Sequence, residues 1–240
     1  MPVLSFDLAA ELNLDRPMIV HGDRPWDAEW QRPQHLLTRF ARSREVLYIE
    51  PPTFVEHQQH ATLAQTEPVP RLQHVVPQLP MISRESDTET RSTVRGLVLD
   101  LIGRGGRLHG RFGHPVLWFY TPMPAPTMIG AFGEVAVVYD YLNAPTCDVL
   151  SRDEIEERTQ YLLTHADVVF DHHVSDTPRS VRAHNSVVAM PDGIAEEGAS
   201  SWERIVDGIS VLMHRAIAKR ARRRWHEQMH GIRVLESVRL

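Results

Sequence analysis

Short apolar runs recur along this chain with room for about one helix between most neighbours, and that rhythm restricts the folds open to it more than any other feature. Met18-Ile-Val-His21, Val46-Leu-Tyr-Ile49, Val116-Leu-Trp-Phe-Tyr120 and the runs at 135–139, 167–170 and 186–190 are short and rich in β-branched or aromatic side chains. Runs of that length between turn signals read as strands buried on both faces. Apolar residues at helical spacing between them predict helices over 33–43, 86–102, 151–164 and 177–184, with a short one after the Pro-rich 122–126. Ser151 and Glu154 have the spacing of a capping box. Strands alternating with helices imply a Rossmann-like, doubly wound, mostly parallel sheet with helices on both faces. Residues 72–79, closed by Pro80, read as an edge strand, the polar 53–70 as a surface loop, and 1–16 as a leader.

The chemistry gathers after the first strand, in Trp26-Asp-Ala-Glu-Trp-Gln-Arg-Pro-Gln-His35. Pro33 suits a first helical turn, since its missing N–H would be unpaired there anyway. Leu36, Leu37 and Phe40 then give an apolar face. This helix starts at the carboxyl end of the first strand, the edge where open parallel sheets bind ligands. Helix starts favour anions, and Arg32 adds a planar fork for phosphate or carboxylate. Trp26 and Trp30 offer an apolar or sugar-stacking wall, Asp27 a hydroxyl acceptor, and His35 a proton-transfer or phosphate-binding group. The structural alternative is equally open: both Trp as buried loop anchors, and Arg32 paired with Asp27 or Glu29. Asp140 and Asp171-His-His173 end later strands on the same edge, so Asp140, His172 and His173 join the candidates.

The motif, followed by Val46-Leu-Tyr-Ile-Glu-Pro-Pro52, resembles the amino-terminal domain of bacterial GT-B glycosyltransferases, in particular the family-4-like group. Further matches follow in order: Val116-Leu-Trp-Phe-Tyr-Thr-Pro-Met-Pro124, Val137-Val-Tyr-Asp-Tyr141, His165-Ala-Asp-Val-Val-Phe170, and Pro191-Asp-Gly-Ile194 in place of a linker into the second domain. The resemblance covers roughly 17–194, and leaves 195–240 as linker and carboxy-terminal helix. It implies transfer of a sugar from a nucleotide sugar to an acceptor hydroxyl, without metal or other cofactor, with residues 22–35, Asp140 and 171–173 on the acceptor side of a cleft. There are two departures. Where the family often has an acidic pair after Tyr-Asp, this chain has Asn143-Ala144. The donor-binding second Rossmann domain does not fit in the remaining 46 residues. Activity would then need a partner glycosyltransferase chain or a homo-oligomer. The alternative is a non-catalytic, degenerate half that serves as a binding, regulatory or scaffold subunit, with a different small-nucleotide-binding Rossmann protein as a third reading.

Residues 201–229 predict one long helix, with Trp202, Ile205, Ile209, Leu212 and Ala216 as its stripe. By the same resemblance, it packs back on the first domain. Its end turns basic, from Arg215 to Trp225, with cations all round the helix. Such a stretch suits solvent, a partner or the face of an anionic membrane. Residues 231–240 read as an extra strand or a swapped segment.

Composition narrows the classes. A net charge of −5 gives no case for nucleic acid. Arg outnumbers Lys 25 to one, which reads as codon bias. The single Cys147 excludes an internal disulfide and fits a reducing cytoplasm. No apolar run approaches a membrane span, and the amino terminus lacks a secretory pattern. Gly103-Arg-Gly-Gly-Arg-Leu-His-Gly110 follows a helix, not a strand, so it is a poor dinucleotide fingerprint. Glu56-His-Gln-Gln-His60 has no third ligand for a metal.

Overall fold

A computed structural model describes residues 15–142, 144, 147, 150–172, 179–189 and 199–237, the side chains of 85, 179–180, 199–200 and 228–237 excepted. His173, residues 1–14 of the expected leader and the linker at 191–194 lie outside the described residues.

The strands are β1 (Met18–His21), β2 (Val46–Ile49), β3 (Thr53–Val55), β4 (Thr62–Val69), β5 (Leu72–Pro80), β6 (Val116–Phe119), β7 (Ala136–Tyr141), β8 (Val168–Asp171) and β9 (Val187–Ala189). They form one sheet in the order β3-β5-β2-β1-β6-β7-β8-β9, with β4 against β5. All pairings are parallel except β4 with β5. The chain winds outward from β1 through β2 to β5, then returns to β1's other side and winds outward through β6 to β9. The order therefore reverses between β1 and β6.

Alternate residues of each strand face opposite layers. On one face, Leu36, Leu37 and Phe40 of α1 (Arg32–Phe40) join Trp202, Ile209, Met213 and Ile217 of α6 (Ala199–Ser237) over Val20, Trp118 and Phe170. The other face is covered by α2 (Asp87–Ile102), α3 (Ala125–Met128), α4 (Arg152–His165) and α5 (Arg179–Arg182). The capping box at Ser151 is formed, with the Glu154 N–H donating to Ser151 Oγ at 3.3 Å.

Three expectations need correction. Residues 72–79 are not an edge: β5 is paired on both sides, because the supposed loop at 53–70 contains β3 and β4. The β4 register shifts between Thr66 and Val69, where Pro68 has no N–H to give the ladder. Residues 231–237 continue the helix instead of forming a strand. One interior Gly231 costs about 1 kcal/mol relative to alanine and does not by itself stop a helix.

The third concerns the basic end of α6, which in part turns back onto its own chain. Arg220 Nη1 lies 2.8 Å from Asp167 Oδ2, and Arg223 Nη2 lies 2.5 Å from Asp167 Oδ1. Arg224 donates to the Glu134 carbonyl at 3.0 Å. Glu134 and Asp167 are buried just before β7 and β8, so these arginines fasten α6 to the amino edge of the sheet. Arg215, Lys219, Arg222 and Trp225 remain exposed. No helix among the described residues is long and apolar enough to cross a membrane.

Candidate functional site

Two polar assemblies stand on the carboxyl edge of the sheet, one on each side. The first lies under the start of α1 and contains several of the residues singled out in the sequence. Arg32 is buried, and its Nε donates to Asp140 Oδ2 at 3.3 Å. His172 Nε2 meets the other carboxylate oxygen at 2.5 Å. Asp140, at the end of β7, is completely buried. Burial pushes its carboxyl up, but the Arg32 guanidinium and the His172 hydrogen bond outweigh that and hold it below the usual carboxylate range. The expected pairing of Arg32 with Asp27 or Glu29 is thus replaced by a partner 108 residues away.

The loop before α1 is braced throughout. The Trp26 N–H donates to Glu50 Oε1 at 2.5 Å, and the same oxygen meets His74 Nε2 at 2.6 Å. Gln34 donates to the Trp26 carbonyl at 2.9 Å, and Tyr48 donates to the Arg24 carbonyl at 2.8 Å. Arg24 also bonds Gln31 and Asp23. Trp26 is buried edge-on against Tyr48, the anchoring role of the structural alternative. Gly22 leaves no free room for a side chain at the head of this loop: a Cβ there would lie 2.1 Å from Tyr48 Oη.

Trp30, His35 and Asp27 point elsewhere. The His35 ring stacks on Trp202 at 4.7 Å and meets Trp30 edge-on at 5.4 Å. Burial and the Arg39 guanidinium lower the basicity of that imidazole. The stack ties the first turn of α1 to the first turn of α6. Asp27 is exposed on the loop.

The second assembly is a cavity of about 390 Å³ at the reversal of strand order. Volumes of this size suit small ligands, and the crevice at such a reversal is where doubly wound sheets bind them. Its walls come from the exits of β1 (His21 to Arg24), β2 (Ile49 to Pro52) and β6 (Tyr120 to Pro124), from Arg91 and Val94 of α2, and from Met128 of α3. Ala144 and Cys147 also line it. The described candidates Trp26, Asp27, Trp30, Arg32, His35, Asp140 and His172 are absent from these walls.

Two side chains on the walls are incompletely hydrogen-bonded. His21 Nε2 and Tyr120 Oη are buried and have no partner. Burial, with a smaller contribution from Arg91, lowers the His21 pKa to about 3, so its imidazole is neutral at pH 7. Burial, and then the nearby Asp140 carboxylate, keep the Tyr120 phenol protonated. The Asp140 and Arg32 charges act on Tyr120, so this residue stands between the two assemblies. In the sequence, His21 and Tyr120 stand out only as the last letters of apolar runs. The available signal was their place, at the carboxyl ends of two strands on the ligand edge. Arg91 gave no such signal, being one polar residue among many on its helix. Among the described residues, no three metal-ligating side chains come together.

No protein-family model matches the chain, and no curated protein matches it. Among solved structures, one from E. coli, described as trehalose-6-phosphate bound with UDP-2-fluoro glucose, is similar over 64% of this chain and 39% of that one, at 8% identity and a TM-score of 0.45. A UDP-forming α,α-trehalose-phosphate synthase from Burkholderia xenovorans is similar over 70% and 41%, at 10% identity and a TM-score of 0.43. The chain thus spans about two fifths of the length of each. The fold and the site stand on the strand order and side chains above, independently of these likenesses.

Proposed function

We propose that this chain presents the acceptor side of a glycosyltransferase-like site. The observation that carries this reading is the cavity at the reversal between β1 and β6, walled by three strand exits and containing two buried, unpartnered polar groups. The resemblance of the Trp26–His35 loop and the later strands to GT-B amino-terminal domains supports the same assignment. In the proposed reaction, the acceptor hydroxyl oxygen forms a bond to the anomeric carbon of a nucleotide sugar. The bond from that carbon to the nucleoside diphosphate breaks, the nucleotide leaves with its electron pair, and the hydroxyl proton is released. The donor is held from outside the described residues. The loop at 22–35 acts as the frame of the site: it fixes Gly22, Asp23 and Arg24 at the cavity mouth through Tyr48, Glu50 and Gln31.

Cys147 provides a direct readout, because it is the chain's single cysteine and lies on the cavity wall. Maleimide labelling of Cys147 is expected to slow when an acceptor sugar occupies the cavity. Nucleoside diphosphate release from a nucleotide sugar is expected only when a donor-binding component is present with this chain. If neither sugars nor nucleotide sugars bind the folded chain, alone or with a co-purified transferase, the reading fails. A binding or scaffold subunit is the second reading. It is favoured by the commitment of Arg32 to Asp140, which leaves the motif's cation internal. Stable association with a transferase, without turnover dependent on this cavity, would select it.

A further inference from the structure

The charges around the cavity are balanced. Arg24 pairs with Asp23 at 3.1 Å. Arg91 and Arg158 both pair with Asp87, at 3.2 and 2.7 Å. Glu50 is bonded to His74 and to the Trp26 N–H. Among the described residues at or directly behind the wall, Arg24, Arg91 and Arg158 stand against Asp23, Glu50 and Asp87, so the formal sum is zero. Arg32, the cation first suited to a phosphate, is buried against Asp140 in the other assembly.

The buried wall groups that lack partners, His21 Nε2 and Tyr120 Oη, are neutral. Tyr120 Oη can donate and accept, and a neutral imidazole has one donor and one acceptor nitrogen. Such atoms match hydroxyl groups, which also do both. Val94, Met123 and Met128 add apolar wall for the C–H face of a ring. A phosphate dianion would have to shed its water here without gaining an unmatched cation, which costs more than its hydrogen bonds return.

We propose that this cavity selects an uncharged polyhydroxyl compound, a free sugar or cyclitol, and rejects its monophosphate. His21 and Tyr120 recognise its hydroxyl groups, and the balanced ring of charge excludes the phosphate. This rests on the acceptor-side reading above and gives it a substrate class.

The test uses the whole chain, with neutral hexoses and myo-inositol as probes beside their monophosphates and inorganic phosphate, read by calorimetry and by protection of Cys147 from maleimide. At least one neutral probe is expected to bind, with its monophosphate about tenfold weaker or worse, the discrimination of a buried group left unpaired. Its affinity should stay constant between about 50 and 300 mM salt, since no net charge is recognised. Tyr120→Phe should weaken the neutral probe about fivefold or more without lowering the melting temperature, because that hydroxyl has no protein partner to lose. Asp23→Asn adds one net positive charge at the wall and should narrow the gap between the neutral probe and its monophosphate. A monophosphate or inorganic phosphate that binds more tightly than every neutral probe overturns the selectivity and leaves the acceptor-side reading standing. A folded chain that binds neither kind overturns both. Neutral-probe binding unchanged in Tyr120→Phe removes the recognition role given to that side chain.

Discussion

The two sides of the carboxyl edge hold similar residue types and treat them in opposite ways. Under α1, Arg32, Asp140, His172, Glu50, His74 and Gln34 find one another or the loop backbone, and of these only Arg32 keeps buried nitrogens, Nη1 and Nη2, without a partner. Beside the open cavity, His21 on the α2 face and Tyr120 at the boundary with the α1 side keep buried polar atoms without partners. A buried polar group without a partner costs about 1–3 kcal/mol and persists where something else offsets it. The largely bonded α1 side therefore reads as framework, and the open cavity as the place that waits for a ligand. A motif dense in unusual residues can owe its density to bracing, while the binding groups next to it are ordinary in sequence.

The largest expected effect tests the framework half directly. Arg32→Ala leaves the Asp140 carboxylate buried with only His172 as partner. Loss of one member of a buried pair costs about 3–5 kcal/mol, to be read as a shift of the urea midpoint at constant slope. The double variant Arg32→Met with Asp140→Leu removes both charges and should recover most of that loss. An Arg32→Ala chain of ordinary stability that fails only in ligand binding would break the comparison, because Arg32 would then belong to the open side.

The pH dependence sharpens the other half. His21 has a folded-state pKa of about 3 against an ordinary value of 6.5. The folded state therefore excludes a proton that the unfolded state takes up below pH 6.5. Its contribution is fully present above pH 6.5 and is lost as pH falls toward 3, at a slope of up to about 1.4 kcal/mol per pH unit. Asp140, with its carboxyl depressed in the fold, adds a loss of the same sign further down, below the ordinary aspartate range. His21→Phe should flatten the stability profile between pH 6.5 and 4, and the ring can still stack on Phe119. An unchanged slope in that variant would mean that His21 is hydrated and the cavity more open than its geometry indicates.

These assignments also show which parts of the molecule could be read from the chain. β1, β2 and β6 through β8 were legible because they are short, doubly buried apolar runs, and α4 because Ser151 and Glu154 mark its start. β4 was not legible: its residues alternate between half-buried and exposed with polar side chains, so its strand character comes from pairing with β5, not from its own pattern. The Arg32–Asp140 bond joins positions 108 apart, and only the winding of the sheet brings them together. His21 and Tyr120 were in view as strand ends, but their lack of partners is a property of the packed fold and has no sequence signature.

Gly22 lies where the two halves meet, and its effect should be intermediate. Gly22→Ala would place a Cβ 2.1 Å from Tyr48 Oη, within the ring that supports the Arg24 carbonyl. Overpacking of this kind costs about 1–3 kcal/mol. Because residues 22–24 also form the cavity mouth, the same variant should change the maleimide rate of Cys147. A stability loss with no change at Cys147 would separate the loop from the cavity and weaken the claim that one frames the other.

The smallest expected effect falls on the most conspicuous side chain of the motif. Trp30 is 58% exposed and touches His35 by the edge of its ring. Trp30→Ala removes a rim contact from the His35–Trp202 stack and opens no buried space, so the stability change should stay within about 0.5 kcal/mol, as for surface substitutions generally. Trp30 is also absent from the cavity wall, so binding of the neutral probes should remain within about twofold, below the cost of one ordinary hydrogen bond. The decisive measurement is a calorimetric titration of the variant with the best neutral probe. A tenfold loss there would mean that the exposed indole is a stacking platform for the sugar, and that the ligand reaches from the cavity across the loop to the α1 side. In that case the two sides of the edge would form one site, and the division between framework and binding surface would have to be redrawn around Trp30.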